Sequence, residues 1–174
     1  RFFYRRAARI TVPTRGILEE LAARGTPRSK LVHLTNGVDV DLYQPRPPDR
    51  DLAASLGLGG GRKLFMYVGT HGLAQGLDVI LEAAKLSRDA EVLYVLVGEG
   101  ADKAALVDKA RAEGIGNVLF LNSQPKDSIP ALLNLAYAAI ITLKPLEVFR
   151  SALPSKMFES MATSRAIVAS MWGE

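Results

Sequence analysis

The segment Leu153-Pro154-Ser155-Lys156-Met157-Phe158-Glu159-Ser160-Met161-Ala162 carries the residue types and spacing best suited to chemistry. A proline with its preset φ and a serine with a short hydroxyl are residues that open helices. The first amides of such a helix, with Lys156 beside them, favour an anion, and Pro154, Ser155 and Lys156 are therefore candidate diphosphate contacts. Glu159, one turn further on, can accept two hydroxyl hydrogens from a vicinal diol such as that of a ribose. The same glutamate also fits the solvated face of an amphipathic helix. A second candidate is the loop Gly69-Thr70-His71-Gly72-Leu73-Ala74-Gln75-Gly76, whose three glycines let the backbone approach a phosphate closely. Glycines in a strand-to-helix turn also serve geometry alone. Two specific nucleotide fingerprints are missing: there is no G-x-x-x-x-G-K-[ST], and Gly98-Glu99-Gly100 lacks the third glycine of G-x-G-x-x-G. P-loop hydrolysis and ordinary NAD binding are disfavoured. Gly69-Thr70-His71-Gly72 has the form of a KH-type clamp, but it follows a buried strand and lacks flanking basic residues.

Positioning these groups requires a sheet. The runs Leu64 to Val68, Val92 to Val97, Val118 to Leu121, Ala139 to Leu143 and Ala166 to Ala169 read as strands alternating with four helices. In the first helix Leu77, Ile80, Leu81 and Ala84 fall at i, i+3, i+4 and i+7, which makes one apolar stripe. Strands apolar on both faces imply a parallel sheet covered on both sides, so the fold class is α/β, Rossmann-like and doubly wound. If the strand order is 3-2-1-4-5, the switch point lies between the first and fourth strands. Ligands then bind beyond their carboxyl ends, where Gly69 to Gly76 and the loop from Lys144 to Pro154 meet. Earlier in the chain, Arg9 to Val12 and Leu31 to Leu34 read as strands around a helix capped by Thr14, running through Ala23 and ended by Gly25. Pro45-Arg46-Pro47-Pro48-Asp49-Arg50-Asp51 divides the chain into residues 1–45 and 46–174, because neither helix nor central strand runs through consecutive prolines.

Composition narrows the function classes. With 174 residues, 48% hydrophobic and 23% charged, the chain can bury one ordinary core and is neither disordered nor a disulfide miniprotein. It has no cysteine, so disulfides, thiolate nucleophiles and zinc-thiolate sites are excluded. No apolar run reaches the roughly 18 to 20 residues that cross a bilayer. The expected location is the cytoplasm. The net charge of +4 is uneven: residues 1–50 hold ten Lys/Arg against five Asp/Glu, and residues 51–174 hold twelve against thirteen. Arg1-Phe2-Phe3-Tyr4-Arg5-Arg6 mixes cations and aromatics, as a membrane-surface patch, a nucleic-acid patch or the severed end of a helix would. The last is favoured, and no nucleic-acid partner is expected. The missing initiator Met and the stop at Met171-Trp172-Gly173-Glu174 read as two cut ends.

Several motifs together resemble the family-4 retaining glycosyltransferases of the GT-B fold. They are Asn36-Gly37-Val38-Asp39 with Leu42-Tyr43-Gln44-Pro45, Tyr67-Val68-Gly69 with Gln75-Gly76-Leu77-Asp78, Leu96-Val97-Gly98-Glu99-Gly100, and Pro154 to Ala162. Within that family the chain is most similar to bacterial transferases for N-acetylated amino sugars, of the L-fucosamine type, which act in surface-polysaccharide synthesis. The resemblance implies that residues 1–45 end an acceptor domain and cross over. Residues 46–174 would be the nucleotide-sugar-binding domain, truncated at its C-terminus. The implied reaction is transfer of a sugar, hexosyl or N-acetylhexosaminyl, from a UDP-linked donor to a lipid-linked or saccharide acceptor with retention, and the isolated fragment would have little activity. By matching position, Glu159 is the second glutamate of the E-x7-E motif and would bind ribose, Ser155 and Lys156 would meet the diphosphate, Gly69, Thr70 and Gly72 would pack against it, and Ser123 and Gln124 would contact the base.

Three departures from the family pattern matter. The first E-x7-E position is Ser151, with Glu147 nearby but out of register and Arg150 placed to fill some of the space. The cations expected beside the loop glycines are replaced by Thr70 and Gln75, so Lys144, Arg150 or Lys156 must supply the charge. His71 is a candidate donor to the ligand. Catalytic roles accordingly fall to Glu159, Lys156 and Arg150. No cofactor or metal is required in this scheme, since a helix N-terminus and a cation can stabilise a departing diphosphate, and Asp39-Val40-Asp41 sits in a turn rather than a metal motif. A basic acceptor side could touch the inner face of an anionic membrane. The competing reading is a nucleotide- or sugar-phosphate-binding module without chemistry, consistent with the missing first glutamate.

Overall fold

The computed structural model describes residues 2–87 and 91–173. Arg1 of the basic aromatic run and Glu174 at the chain end lie outside the described residues. Near the start of the chain, Thr14 caps a helix through its side chain, accepting from the Ile17 amide at 3.2 Å. The first unit is α1 (Phe2–Arg6), β1 (Ile10–Val12), α2 (Arg15–Ala23) and β2 (Leu31–His33), with β1 and β2 paired in parallel. That is the expected strand, helix, strand unit, and α1 is the short helix expected of the aromatic run.

The second unit runs α3 (Arg50–Ser55), β3 (Lys63–Val68), α4 (Asp78–Leu86), β4 (Val92–Val97), α5 (Lys103–Ala112), β5 (Val118–Leu121), α6 (Ile129–Leu135), β6 (Ala138–Thr142), α7 (Ser155–Ala162) and β7 (Ala166–Ser170). Its sheet is parallel throughout, in the order β5-β4-β3-β6-β7, which is the expected 3-2-1-4-5 with the reversal between β3 and β6. Only α3 goes beyond the elements expected from sequence. It starts at the very end of the proline linker, where Asp49 accepts from the Leu52 amide at 2.9 Å and so begins a helix directly after Pro48.

Strand alternation explains why these strands are apolar on both faces. Leu64 and Met66 of β3 and Leu93, Val95 and Val97 of β4 pack with Leu58, Leu132 and Ala136 on one side. Tyr67 and Leu96 pack with Leu77, Ile80 and Leu81 of the α4 region and Leu106 and Ala110 of α5 on the other. Each such leucine or isoleucine contributes about 1.5 to 3 kcal/mol by leaving water. The predicted stripe Leu77, Ile80, Leu81 and Ala84 is buried in full. The proline linker is tied down rather than free: buried Asn134 of α6 accepts from the Arg46 amide at 2.9 Å and donates to the Gln44 carbonyl at 3.0 Å. Among the described residues, no helix is long and apolar enough to cross a membrane.

Candidate functional site

The carboxyl ends of β3, β4 and β5 open into a crevice of about 310 Å³, lined among others by Gly69, Thr70, Gly98, Glu99, Ser123 and Gln124. The loop after β3 is pressed flat onto the loop after β4. The Gly69 amide donates to Val97 at 2.9 Å and the His71 amide to Glu99 at 2.8 Å, while the His71 carbonyl accepts from Asp102 at 2.9 Å. This contact has a strict steric condition. Gly98 has a φ of 146°, and a Cβ there would lie 1.9 Å from the Gly69 carbonyl oxygen.

Lys156 supplies the cation. Its Nζ donates to the Tyr67 hydroxyl at 2.9 Å and sits 4.1 Å from the Tyr67 ring centroid. It lies so close to Gly69 that a Cβ on that glycine would meet Nζ at 2.8 Å. Burial lowers the ammonium's pKa to about 8, against the opposing attraction of Glu159. The Tyr67 hydroxyl in turn donates to the Thr70 carbonyl at 2.8 Å, and burial pushes its own pKa well up.

Glu159 is half-buried on α7. Desolvation raises its pKa, and Lys156, Lys126 and the Tyr43 hydroxyl oppose that rise. Tyr43, on the chain between the two units, is buried, and its hydroxyl is held up in pKa first by burial and then by the Glu159 charge. The placement puts Glu159 between the Lys156 end of the site and the Lys126 loop that follows Ser123 and Gln124. On the rim, Lys103 pairs with Glu99 at 2.6 Å and donates to Asn122 at 2.9 Å, which lowers the Glu99 pKa. Gln124 donates to the Asn122 carbonyl at 3.2 Å.

The predicted residues divide. Gly69, Thr70, Ser123 and Gln124 line the crevice. Pro154 and Ser155 stand at the opening of α7, and Lys156 and Glu159 lie on its first turns. Gly72 and Gln75 close a turn, the Gln75 amide donating to the Gly72 carbonyl at 3.0 Å, and Lys144 lays its Cγ where a Cβ on Gly76 would come within 3.0 Å. His71 is a correction. Its imidazole is wholly buried, between Tyr67 and Phe120, and neither ring nitrogen has a partner or reaches the surface, so it does not donate to a ligand from this position. Burial, then the Lys103 charge, lowers its pKa and favours the neutral ring. The Arg150 guanidinium is exposed, 3.3 Å from Glu147 and 5.6 Å from the Trp172 ring centroid. The Ser151 carbonyl accepts from the Thr14 hydroxyl of the first unit at 2.7 Å.

Tyr67, Tyr43 and Lys126 belong to the site without having been singled out. Tyr67 carried the one available signal, a hydroxyl inside the otherwise apolar run Leu64 to Val68, where a buried phenol needs a partner. Among the described residues, no three His, Asp or Glu side chains gather as a metal site would need.

Known proteins share this sequence and shape. Residues 49–173 match the family model described as glycosyl transferases group 1. The chain is 28% identical over 156 residues to WcaI of Escherichia coli, assigned to colanic acid biosynthesis as a glycosyl transferase, covering 88% of this chain and 38% of that protein. It is 30% identical over 146 residues to the D-rhamnosyltransferase WbpZ of Pseudomonas aeruginosa, covering 84% and 36%. The chain thus spans about two fifths of the length of these relatives. Among solved structures, HepE of Anabaena in complex with UDP and glucose superposes with a TM-score of 0.81 at 19% identity, covering 96% of this chain and 45% of that one. WaaG, a glycosyltransferase involved in lipopolysaccharide biosynthesis, gives 0.74 at 16%, covering 91% and 43%. At these identities the structural likeness establishes the fold.

Proposed function

Since the chain belongs to the group 1 glycosyl transferases, we propose that it forms the donor-binding part of an enzyme that moves a sugar from a UDP-linked donor to a lipid-linked or saccharide acceptor with retention at the anomeric carbon. In this reading residues 1–45 belong to the acceptor side and residues 46–174 hold the nucleotide. The observation that carries it is the partly buried ammonium of Lys156, lying against Gly69 at the reversal of strand order and on the first turn of α7. Its direct contacts are a neutral hydroxyl and a ring, so a diphosphate would add the full counter-charge that they do not supply. HepE, of the same fold, has been solved with UDP and with UDP-glucose.

The chemistry follows from charge. As the donor bond breaks, the diphosphate gains negative charge, which the α7 amides and Lys156 stabilise without reorganising. Glu159 accepts from the ribose hydroxyls and sets the distance between base and phosphate, with Ser123 and Gln124 at the base. Calorimetric titration with UDP, GDP and single-stranded RNA tests the reading. UDP should bind, and Glu159→Ala should weaken it by about 2 kcal/mol, roughly thirtyfold, as two hydrogen bonds to a charged group are lost. Equal, salt-dependent binding of every polyanion would sink it.

One feature favours a second reading, a nucleotide-binding module without chemistry: Ser151 stands where a donor-facing carboxylate is expected, and its carbonyl is already engaged by Thr14. Turnover of a UDP-sugar by the full-length protein decides between the two.

A further inference from the structure

Resting on that reading of the crevice, one residue outside the expected set has a defined task. Tyr67 is the penultimate residue of β3, its side chain is fully buried, and its hydroxyl nonetheless makes two hydrogen bonds, to Thr70 and to Lys156. Their polarity is fixed. A phenol has one proton, and the Thr70 carbonyl can only accept, so that proton is committed to the loop and the oxygen presents lone pairs to Lys156. Lys156 must therefore donate, which holds its Nζ in place. The ring beneath the ammonium adds a second attraction for the cation. Two other cations have partners of their own: Lys103 holds Glu99 and Asn122, and Arg150 pairs with Glu147.

We propose that Tyr67 is a positioning residue for phosphate binding: it holds the Lys156 ammonium against Gly69 and ties that cation to the conformation of the Thr70 loop, so that loop and charge meet the diphosphate as one unit. The hydroxyl acts through Lys156 and does not itself touch the nucleotide.

A double-mutant cycle read with two ligands tests this. Tyr67→Phe keeps the ring and removes only the oxygen. It should weaken UDP binding about tenfold while uridine, which lacks phosphate, binds within twofold of the parent. Lys156→Met should weaken UDP about a hundredfold, and adding Tyr67→Phe to it should cost nothing more. Equal losses for UDP and uridine, or the same UDP loss with and without Lys156, would overturn the proposal, because either result makes the hydroxyl a packing feature. If the parent protein binds no UDP, the donor-site reading falls and takes this inference with it; if UDP binds but the cycle is additive, only the role of Tyr67 falls. Should the buried Phe unfold the chain, 3-fluorotyrosine at position 67 weakens the oxygen as an acceptor without deleting an atom. UDP affinity should then drop about twofold with uridine unchanged, and no drop would count against the hydroxyl.

Discussion

The two ends of the candidate site are built differently. At the end beside β3 and α7, Tyr67 and His71 are sealed from solvent, Lys156 is fixed by a hydroxyl and a ring, and the two loops touch through glycine backbone. At the end after β5, Ser123 is exposed, and Gln124 makes a single hydrogen bond two residues back in the chain. On the proposed reading, a preorganised anion site beside an adaptable rim suits a ligand whose phosphates are invariant and whose base is read by surface polar groups. The phosphate end should therefore be brittle to mutation and the base end tolerant.

The largest break should come at the loop contact. Gly98→Ala places a Cβ inside the Gly69 carbonyl at a positive φ, so the two loops must separate. A stability loss of about 3 kcal/mol, seen in thermal unfolding, and loss of UDP binding are expected; a variant that melts and binds like the parent would refute the packed-loop account. A smaller effect follows from pH. The folded pKa of Lys156 is about 8, below that of an ordinary lysine, so the free protein loses the ammonium as pH rises through 8. UDP affinity should then fall about tenfold per pH unit. Folding stability should run the other way, rising from pH 8 toward the unfolded lysine value of about 10.4, because the unfolded chain binds the extra proton. Glu159, His71 and Tyr67 face this ammonium from α7, the Gly69 loop and β3, and Lys156→Arg, which stays charged, isolates its part by flattening the slope. The smallest effect belongs to the rim. Gln124→Ala should change UDP affinity by less than about threefold in the same titration; a loss as large as that of Lys156→Met would erase the contrast between the ends.

What was legible in the sequence was whatever periodicity and caps determine. The α4 stripe and the opening of α7 at Pro154 and Ser155 rest on local rules of side-chain spacing and backbone geometry, whereas the order of the five strands came from the arrangement common to nucleotide-binding α/β sheets. Of the candidate site residues, Gly69, Lys156 and Glu159 lie on or beside those elements, where the local pattern places them. The candidate site was not legible where a loop folds back under another. His71 reads as a surface loop residue, yet Gly98 and Gly100 bring the neighbouring backbone down on it and bury the ring. Arg150 shows a second limit, because adjacency in sequence to Ser151 says nothing of the side chain's direction, which the contacts with Glu147 and Trp172 set. Asn134 joins the helix α6 to a linker 90 residues earlier, a pairing no local pattern encodes.

Thr14 is the feature with mechanical weight. One hydroxyl accepts from Ile17 and donates to Ser151, and nearby the Asn36 amide donates to Leu153 at 3.3 Å, so the first unit grips the strap that leads into α7 at two points. Neutral hydrogen bonds of this kind are each worth about 1 kcal/mol net. Together they form a latch of about 2 kcal/mol, which thermal motion leaves open roughly a few per cent of the time. The backbone just ahead of α7 is thereby anchored to the first unit, so any change in how the two units sit must either break these two bonds or carry the strap with it.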